Sequence, residues 1–291
     1  MRKKNQEIKP IDQPDYTYWQ ALYMAFYSRR LFIDVVKRWR GFGIGYFLLL
    51  ISVVSIPWTI DYTEQFIRYF NEEIIFPFEH MPLLTIQNGE ASINKPMPYF
   101  VKSKTGSNVI EIDTTGHVQA FPEQHPTLMA LITNDKIYYR APKIGLFSKY
   151  SLSTASDKIS THTFNKGDNE VFSGRDWIAT SKIEMLKTYA AVFIYPLVMG
   201  VFLGIYSVYN VVLSSIGRLI SSVVLKYKIT FRDSFRLSWV ASTAPLMLVT
   251  VLQCLGFNMD GSAPYYVALV ACYFAFAIIG VKRESQTMVR R

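Results

Sequence analysis

The stretch GFGIGYFLLLISVVSIPWTI, residues 41–60, contains no Asp, Glu, Lys, Arg or His and lies between Arg40 and Asp61. Residues 188–217, 237–259 and 261–281 form three further runs with the same property, each at least 21 residues long. A helix needs about 20 apolar residues to cross the hydrocarbon layer. These runs lack the alternation of barrel strands, so they predict four transmembrane helices. Buried helices of a soluble protein are the alternative, but four runs of spanning length argue against it.

The composition of the chain is typical of a membrane protein. Half of the 291 residues are hydrophobic and 18% are charged, against about 25% charged in an average soluble domain. Disorder, collagen and a disulfide scaffold are excluded by the high apolar content, by only 15 Gly and by only 2 Cys, respectively.

The first run begins after 40 residues and no small-residue cleavage site follows it, which predicts a retained signal anchor.

The net charge of +9 is distributed unevenly along the chain. Residues 1–40, 218–236 and 282–291 together carry 18 basic and 6 acidic side chains, whereas residues 61–187 carry 13 basic and 15 acidic. Lys and Arg near helix ends stay on the cytoplasmic side, and long translocated domains are largely exempt from this rule. Both termini and the 218–236 connection are therefore predicted to be cytoplasmic, and residues 61–187 extracytoplasmic.

The basic residues near the predicted crossings fit the anionic headgroups of a lipid bilayer, each contributing about 1 kcal/mol near the surface. A nucleic-acid partner is the alternative for the same charges. We predict none, because no nucleic-acid module is found and the charges lie at helix ends. The residues assigned to headgroup contact and orientation are Arg29, Arg30, Lys37, Arg38, Arg40, Lys226, Lys228, Arg232, Arg236, Lys282 and Arg283.

The cytoplasmic segment 1–40 contains an aromatic, amphipathic stretch at residues 16–40. Its apolar residues recur at spacings of three and four, which predicts an interfacial helix whose Trp and Tyr lie at headgroup depth. Packing of this face on the protein's own helices is the alternative, and the two are compatible.

Glycines and prolines in the runs mark predicted close contacts and bends. The match at Gly200 and Gly204 has the Gly-x-x-x-Gly spacing, which lets helix backbones approach closely. It predicts either packing within the four-helix bundle, which we favour because three other helices need partners, or an interface in a homo-oligomer. The residues assigned to helix packing and bending are Gly41, Gly43, Gly45, Pro196, Gly200, Gly204 and Pro245.

Residues 61–187 predict an extracytoplasmic α+β domain inserted between transmembrane helices 1 and 2. Helices are predicted at 62–76 and 175–187, and Asn88-Gly89 predicts a hairpin between two short strands. Cys254 and Cys272 lie in predicted crossings, so this domain has no disulfide framework. The predicted strands are residues 83–87 and 90–93, which form the hairpin, and residues 99–102, 109–112, 128–133 and 137–140.

Few residues point to chemistry. All four histidines, His80, His117, His125 and His162, lie in the inserted domain and are weak candidates for a metal site. Glu79, Glu123 and Asp113 are the nearest oxygen ligands, but no metal-binding spacing supports such a site. We therefore predict no metal, no cofactor and no enzyme activity, since no catalytic motif is present. Asp113, before Thr114-Thr115-Gly116, is interpreted as a turn residue.

Three motifs resemble a bacterial membrane family called domain of unknown function 1189. They are Tyr27-Ser28 with the basic run into RGFGIGY (residues 40–46), IQNGEASI (residues 86–93) and VIEIDTTG (residues 109–116). The order of one crossing, an outer domain and three further crossings also resembles that family. The resemblance implies a multi-pass protein of the bacterial inner membrane with a periplasmic domain. Some members carry a maltodextrin-utilisation label, which implies at most a link to sugar uptake.

These features favour a non-catalytic membrane protein whose residues 61–187 bind a protein, an envelope polymer or a small molecule, in a scaffold, accessory or sensing role. A permease or channel component is the first alternative, motivated by four crossings and their prolines. The absence of ionisable residues inside the runs argues against a secondary transporter that works alone. A metal-dependent extracytoplasmic enzyme is the second alternative and rests on the histidines alone.

Overall fold

The chain divides into two compact units. The structure, a computed structural model, describes residues 13–118, 121, 127–140, 159–223, 226–257 and 263–289. The helical unit comprises Met1–Thr59 and Tyr195–Arg291, and the inserted unit comprises Ile60–Ile194.

Four helices in the described residues are long and apolar enough to cross a membrane. They cover Ile44–His80, Ile183–Val223, Phe231–Cys254 and Pro264–Gln286. The β-strands all fall between the first and second of these in sequence. The predicted fold class is thereby confirmed, and the protein is a multi-pass membrane protein.

The helices extend beyond the charge-free runs at several ends, because a helix continues into polar surroundings where its backbone bonds remain intact. A π-helical stretch, Phe70–Ile75, follows α3 directly. The helices are α1 (Tyr18–Met24), α2 (Arg29–Lys37), α3 (Ile44–Tyr69), α4 (Phe76–His80), α5 (Gly174–Thr180), α6 (Ile183–Val223), α7 (Phe231–Ala241), α8 (Thr243–Cys254) and α9 (Ala263–Val289).

The third candidate span consists of α7 and α8, which are separated at Ser242. Pro245 lies three residues further on, and a proline removes one backbone hydrogen bond and crowds the carbonyl four residues before it. The interruption therefore occurs where the sequence predicts a bend.

The amphipathic segment forms two short helices instead of one. Thr17 and Gln20 make a capping box at α1, and the Ser28 hydroxyl accepts from the Leu31 amide at the start of α2. The apolar face of α2 is buried against α7 and α9. Packing on the protein's own helices thus occurs for α2. Three aromatic side chains of α1 are exposed, Tyr18, Trp19 and Tyr23, as are Phe26 and Tyr27 in the turn that follows it.

Hydroxyl groups link the helices of the helical unit. Tyr46 and Thr243 share a buried hydrogen bond of 2.6 Å, and the Ser234 hydroxyl donates to the Ser214 carbonyl at 2.7 Å. Phe47 stacks on the indole of Trp239 with 3.5 Å between ring centroids. These contacts tie α7 and α8 to α3 and α6.

The glycines near the start of α3 differ in what they contact. Gly41 and Gly43 have φ of +73° and lie in the turn before α3. A Cβ added at Gly41 would meet no atom within 4 Å, whereas one at Gly43 would lie 3.4 Å from Cγ of Arg236 on α7, so Gly43 also permits close packing. Gly45 does face a neighbour, because a Cβ added there would lie 3.0 Å from Cε2 of Tyr18.

The Gly-x-x-x-Gly pair does not pack within the bundle among the described residues. A Cβ added at Gly200 or Gly204 would meet no atom within 4 Å. This corrects the packing that we favoured, because the bundle uses a different face of α6. The homo-oligomer interface stays a prediction. Gly217 is the glycine of α6 that makes a close contact, since a Cβ there would overlap the buried ring of Phe274.

The inserted unit contains two β-sheets. The strands are β1 (Leu84–Gln87), β2 (Glu90–Ile93), β3 (Tyr99–Lys102), β4 (Asn108–Asp113), β5 (Ala130–Thr133), β6 (Lys136–Tyr139), β7 (Ser160–Thr163) and β8 (Glu170–Phe172). One sheet has the order β2-β1-β8 and the other β3-β4-β5-β6-β7. The β4 and β5 strands pair in parallel and the other neighbours pair antiparallel.

The predicted hairpin is present at Asn88-Gly89. Their φ angles of +55° and +80° fit the tight turn that joins β1 to β2, with Leu84 opposite Ile93. Leu84, Ile110 and Ile112 are almost completely buried, and they belong to one apolar cluster that includes residues of both sheets. This core contains no disulfide, since residues 61–187 have no cysteine.

Gly217 and Gly200 offer a matched test of packing in α6. We expect Gly217→Leu to lower the stability of the full-length protein in detergent by about 1–3 kcal/mol, because the new side chain overlaps Phe274. Gly200→Leu makes the same change in helix propensity at an open position and is the control. Thermal unfolding of both variants checks this, and equal melting temperatures would contradict the contact.

Candidate functional site

A cleft of the inserted unit lies between α4 and α5. It is lined by Glu79, His80, Arg175 and Ile178 and has a volume of about 390 Å³. Two of the residues predicted as weak metal candidates, Glu79 and His80, therefore meet a cation and an aliphatic side chain that are distant in sequence.

Local sequence brings the two short helices together. The Ser173 hydroxyl accepts from the Asp176 amide and caps α5. The next residue must be glycine, because a Cβ at Gly174 would overlap the carbonyl of Phe78. Phe78 also packs on Trp177 with 4.7 Å between ring centroids. These contacts fix the walls of the cleft.

Backbone carbonyls orient two side chains of the cleft, Arg175 and His80. Nε of Arg175 donates to the Glu79 carbonyl at 3.1 Å, and the two terminal amino groups of the guanidinium have no hydrogen-bond partner among the described residues. Nδ1 of His80 lies 2.9 Å from the Phe76 carbonyl, and its ring stacks on Phe76 with 4.0 Å between centroids. The cleft can thus present an oriented guanidinium beside a carboxylate and an imidazole.

His117 and His162 do not line this cleft. His117 follows the turn after β4 and His162 lies on β7, where it is exposed. His125 and Glu123 fall outside the described residues. Within the described residues there is no group of three or more His, Cys, Asp or Glu side chains that could hold a metal ion.

Asp113 behaves as a turn residue. Its Oδ1 accepts a hydrogen bond of 2.9 Å from the Thr115 amide and another from the Thr115 hydroxyl. The side chain is buried and directed to its own turn. This arrangement fits the interpretation made from the sequence.

Most of the predicted headgroup residues are at least partly exposed. Arg29 lies over the ring of Phe276 at 5.2 Å, and Arg38 forms ion pairs with Asp15 and Asp34. The exposed residues of the set are Arg29, Arg30, Lys37, Arg40, Lys226, Lys228, Arg232 and Arg283, and the partly exposed ones are Arg38 and Lys282.

Arg236 occupies a different position from the one that we predicted. It is 5% exposed, pairs with Asp233 and donates to the Val36 carbonyl at 3.2 Å. The arginine follows Asp233 by three residues on α7, and this spacing places the two side chains on the same side of the helix. Arg236 is therefore a buried structural cation and not a headgroup contact.

Besides two indole nitrogens and Nε of Arg236, the polar side chains of Asn210 and Ser238 lie inside the helical unit without partners among the described residues. Both the amide oxygen and the amide nitrogen of Asn210 lack a hydrogen bond, as does the Ser238 hydroxyl. Asn210 is 2% exposed. Each residue lies one helical turn from the Ser214–Ser234 hydrogen bond, on α6 and α7 respectively. They are the polar groups of the bundle that a permeation hypothesis would use.

Arg175 and Ile178 were absent from the residues selected on sequence grounds. An arginine near the start of a helix is common and does not by itself indicate a site. Arg175 becomes part of the cleft because it contacts Glu79 of α4, from which it is separated by 95 residues of sequence. The Ser173-Gly174 pair was the available local signal, because it combines a helix cap with a residue that permits close approach.

Replacement of Asn210 tests whether its buried amide is unpaired or binds a water or ligand. We expect Asn210→Leu to leave the melting temperature of the full-length protein unchanged or raised, because two unpaired buried polar groups are removed. Ser234→Ala is the control on α7, and loss of its bond to Ser214 should cost about 1 kcal/mol. A lower melting temperature for Asn210→Leu would instead indicate a bound water or ligand at the amide.

Comparison with known proteins identifies the family of the chain. The model of a family described as "Protein of unknown function (DUF1189)" matches residues 19–278, which include most of both units. The chain therefore belongs to this family, and the resemblance stated from its motifs is confirmed. No curated protein and no solved structure matches the chain.

Proposed function

We propose that this DUF1189 protein is a non-catalytic protein of the bacterial inner membrane that binds an extracytoplasmic partner through its inserted unit. The partner is a protein, an envelope polymer or a small molecule, and the role is that of a scaffold, accessory or sensing protein. In this proposal both termini and the 218–236 connection are cytoplasmic, and residues 61–187 are periplasmic or extracellular.

The α4–α5 cleft is the observation that carries the proposal. Its volume of about 390 Å³ lies within the range of small-ligand sites. Its guanidinium is already oriented by the Glu79 carbonyl, so a ligand would not have to order that side chain itself. Glycine at 174 and the Phe78–Trp177 contact keep the two walls in place.

The chemistry of the cleft favours a partner group that carries a carboxylate beside an apolar portion. The terminal amino groups of an arginine match the two oxygens of a carboxylate, and such charge-assisted bonds are the stronger class. Ile178 offers the apolar contact, while the Glu79 carboxylate accepts from a donor on the same ligand. Acidic peptides and amino-acid-like groups share these features.

A permease component, with its loose link to sugar uptake, is the second candidate. Asn210 and Ser238 favour it, because unpaired polar groups inside a bundle are the kind that line a path for a polar solute. The Asn210→Leu variant separates the two candidates: solute flux in proteoliposomes would fall if the amide lines a path, whereas partner binding at the cleft would not change.

A photoreactive residue at position 178 tests the cleft. With p-benzoylphenylalanine replacing Ile178 in the full-length protein, we expect one reproducible light-dependent adduct in native membranes. Arg175→Gln should reduce its yield about tenfold, the factor expected when a hydrogen bond to a charged group is lost.

Matched controls accompany this experiment. The same photoreactive residue at Tyr139, an exposed position of the same unit, should give no such adduct, and Lys166→Gln should leave the yield unchanged. Equal adducts at both positions, or a yield that does not respond to Arg175→Gln, would contradict binding at the cleft.

Cysteine labelling tests the orientation. The chain has two cysteines, Cys254 and Cys272, and both can be replaced with Ser before a single new cysteine is introduced. We expect a membrane-impermeant maleimide to label Lys95→Cys in intact spheroplasts, and Lys228→Cys only after the membrane is opened, because the charge bias holds residues 218–236 inside. Both target positions are exposed, so the reverse labelling pattern would contradict the orientation.

A further inference from the structure

An apolar groove lies between the start of α3, the middle of α6 and the start of α7. Its volume is about 540 Å³, within the range of ligand sites, and Ser207 is the only lining residue with a polar side chain other than an indole. Phe42, Leu48 and Val211 line it and are all exposed in the described residues. The groove is therefore open along one side.

Aromatic packing makes the floor of the groove rigid. Trp239 is buried beneath it, stacks on Phe47 and meets Phe235 edge to face at 5.2 Å. Phe235 in turn contacts Phe42 at 5.7 Å, which joins α7 to the turn before α3. A floor of interlocked rings keeps its shape without an occupant.

The guanidinium of Arg232 lies beside the groove in a fixed orientation. Nε of Arg232 donates to the Gly41 carbonyl at 2.8 Å, and its guanidinium lies 5.9 Å from the centre of the Phe42 ring. The terminal amino groups of Arg232 have no hydrogen-bond partner in the part of the chain that the structure describes. Arg40, next to Gly41 in sequence, is also exposed.

The place of the groove in the fold identifies its surroundings. Its lining residues belong to three of the four candidate membrane spans or to the turn that precedes the first. Arg232 is the second residue of the third span, and Arg40 precedes the first span by four residues. The apolar slot therefore lies within the spans, and the two cations lie at their ends, where headgroups are found.

We propose that this groove binds one anionic glycerophospholipid, with an acyl chain on the apolar side chains and the phosphate at Arg232. Basic pockets between transmembrane helices on the cytoplasmic side are the kind of site that binds anionic headgroups. The guanidinium, already fixed by Gly41, presents two amino groups that match phosphate oxygens. This inference does not depend on what the inserted unit binds.

A second helix fits the same groove less well. One turn of a helix with its side chains is about 10 Å wide and 5.4 Å long, so a volume of about 540 Å³ holds little more than a single turn. A stable helix pair requires contacts repeated over several turns. A flexible acyl chain can follow the slot between Val211 and Phe235, and a charged headgroup also explains the cation beside the slot.

Native mass spectrometry of the full-length protein in detergent tests the proposal. Phosphatidylglycerol and phosphatidylcholine with identical acyl chains are titrated separately, and we expect the first phosphatidylglycerol molecule to bind more tightly. Arg232→Gln should lower the phosphatidylglycerol affinity about fivefold, the effect of one basic residue at the headgroup level. Its effect on phosphatidylcholine should be smaller, because the choline cation offsets the charge of the phosphate, so the preference for phosphatidylglycerol should shrink. Val211→Trp, which fills the slot, should reduce the binding of both lipids.

Two control variants keep the test specific. Val208→Trp changes a residue of the same helix that is 66% exposed and does not line the groove, and Arg218→Gln removes an exposed cation elsewhere on α6. Both controls should bind lipid as the original protein does. If Val211→Trp does not fold, as judged by its melting temperature, Ser207→Phe fills the same slot.

Three outcomes would overturn the proposal. The first is equal lipid binding by the groove-filling variant and Val208→Trp, which would mean that the bound lipid covers the surface without occupying the groove. The second is an unchanged preference for phosphatidylglycerol in Arg232→Gln. The third is a loss of dimers in Val211→Trp with no change in lipid binding, which would assign the groove to a second copy of the chain.

Discussion

The backbone of a chain in hydrocarbon has no water to bind, so every amide and carbonyl within the spans must find its partner in the protein. The four charge-free runs meet this requirement as helices, and their hydroxyl side chains follow the same rule. Ser55 donates to the Ile51 carbonyl and Thr59 to the Ser55 carbonyl, each one turn back along α3. Contacts between helices, such as Tyr46 with Thr243, then use the few polar groups that remain. Among the described residues of the helical unit, Asn210 and Ser238 are exceptions to this rule, together with the indole nitrogens of Trp39 and Trp239 and Nε of Arg236.

The two units obtain stability in different ways. In the helical unit, close approach depends on small residues and ring stacking, as at Gly217 and at the Phe47–Trp239 pair. In the inserted unit, the hydrophobic effect acts on a sheet core centred on Ile110 and Ile112. Gly174 of the inserted unit has a different role, because it lets α5 approach α4 closely enough to form the cleft. The cleft that we propose as a binding site is walled by two short helices, and Phe78 of α4 packs against the sheet core.

Local patterns predicted much of this fold. Run length and charge predicted the spans, and Asn88-Gly89 predicted the hairpin, because each signal is complete within a few turns or residues. The parallel pairing of β4 with β5 and the cleft at Arg175 depend on contacts between distant residues, which periodicity does not encode. Arg236 shows the same limit. Its position near a helix end indicated lipid, but the neighbouring carboxylate of Asp233 and the Val36 carbonyl hold it inside.

The pairing of β1 with β8 has a consequence for the order in which the protein matures. Leu84 lies opposite Phe172, so β1 has only its hairpin partner until the chain has been synthesised to residue 172. A two-stranded hairpin alone is at most marginally stable in water. The β2-β1-β8 sheet therefore stays incomplete until almost the whole segment between the first two spans has been synthesised. The second span begins at Ile183, only eleven residues later, so completion of this sheet and synthesis of the second span nearly coincide.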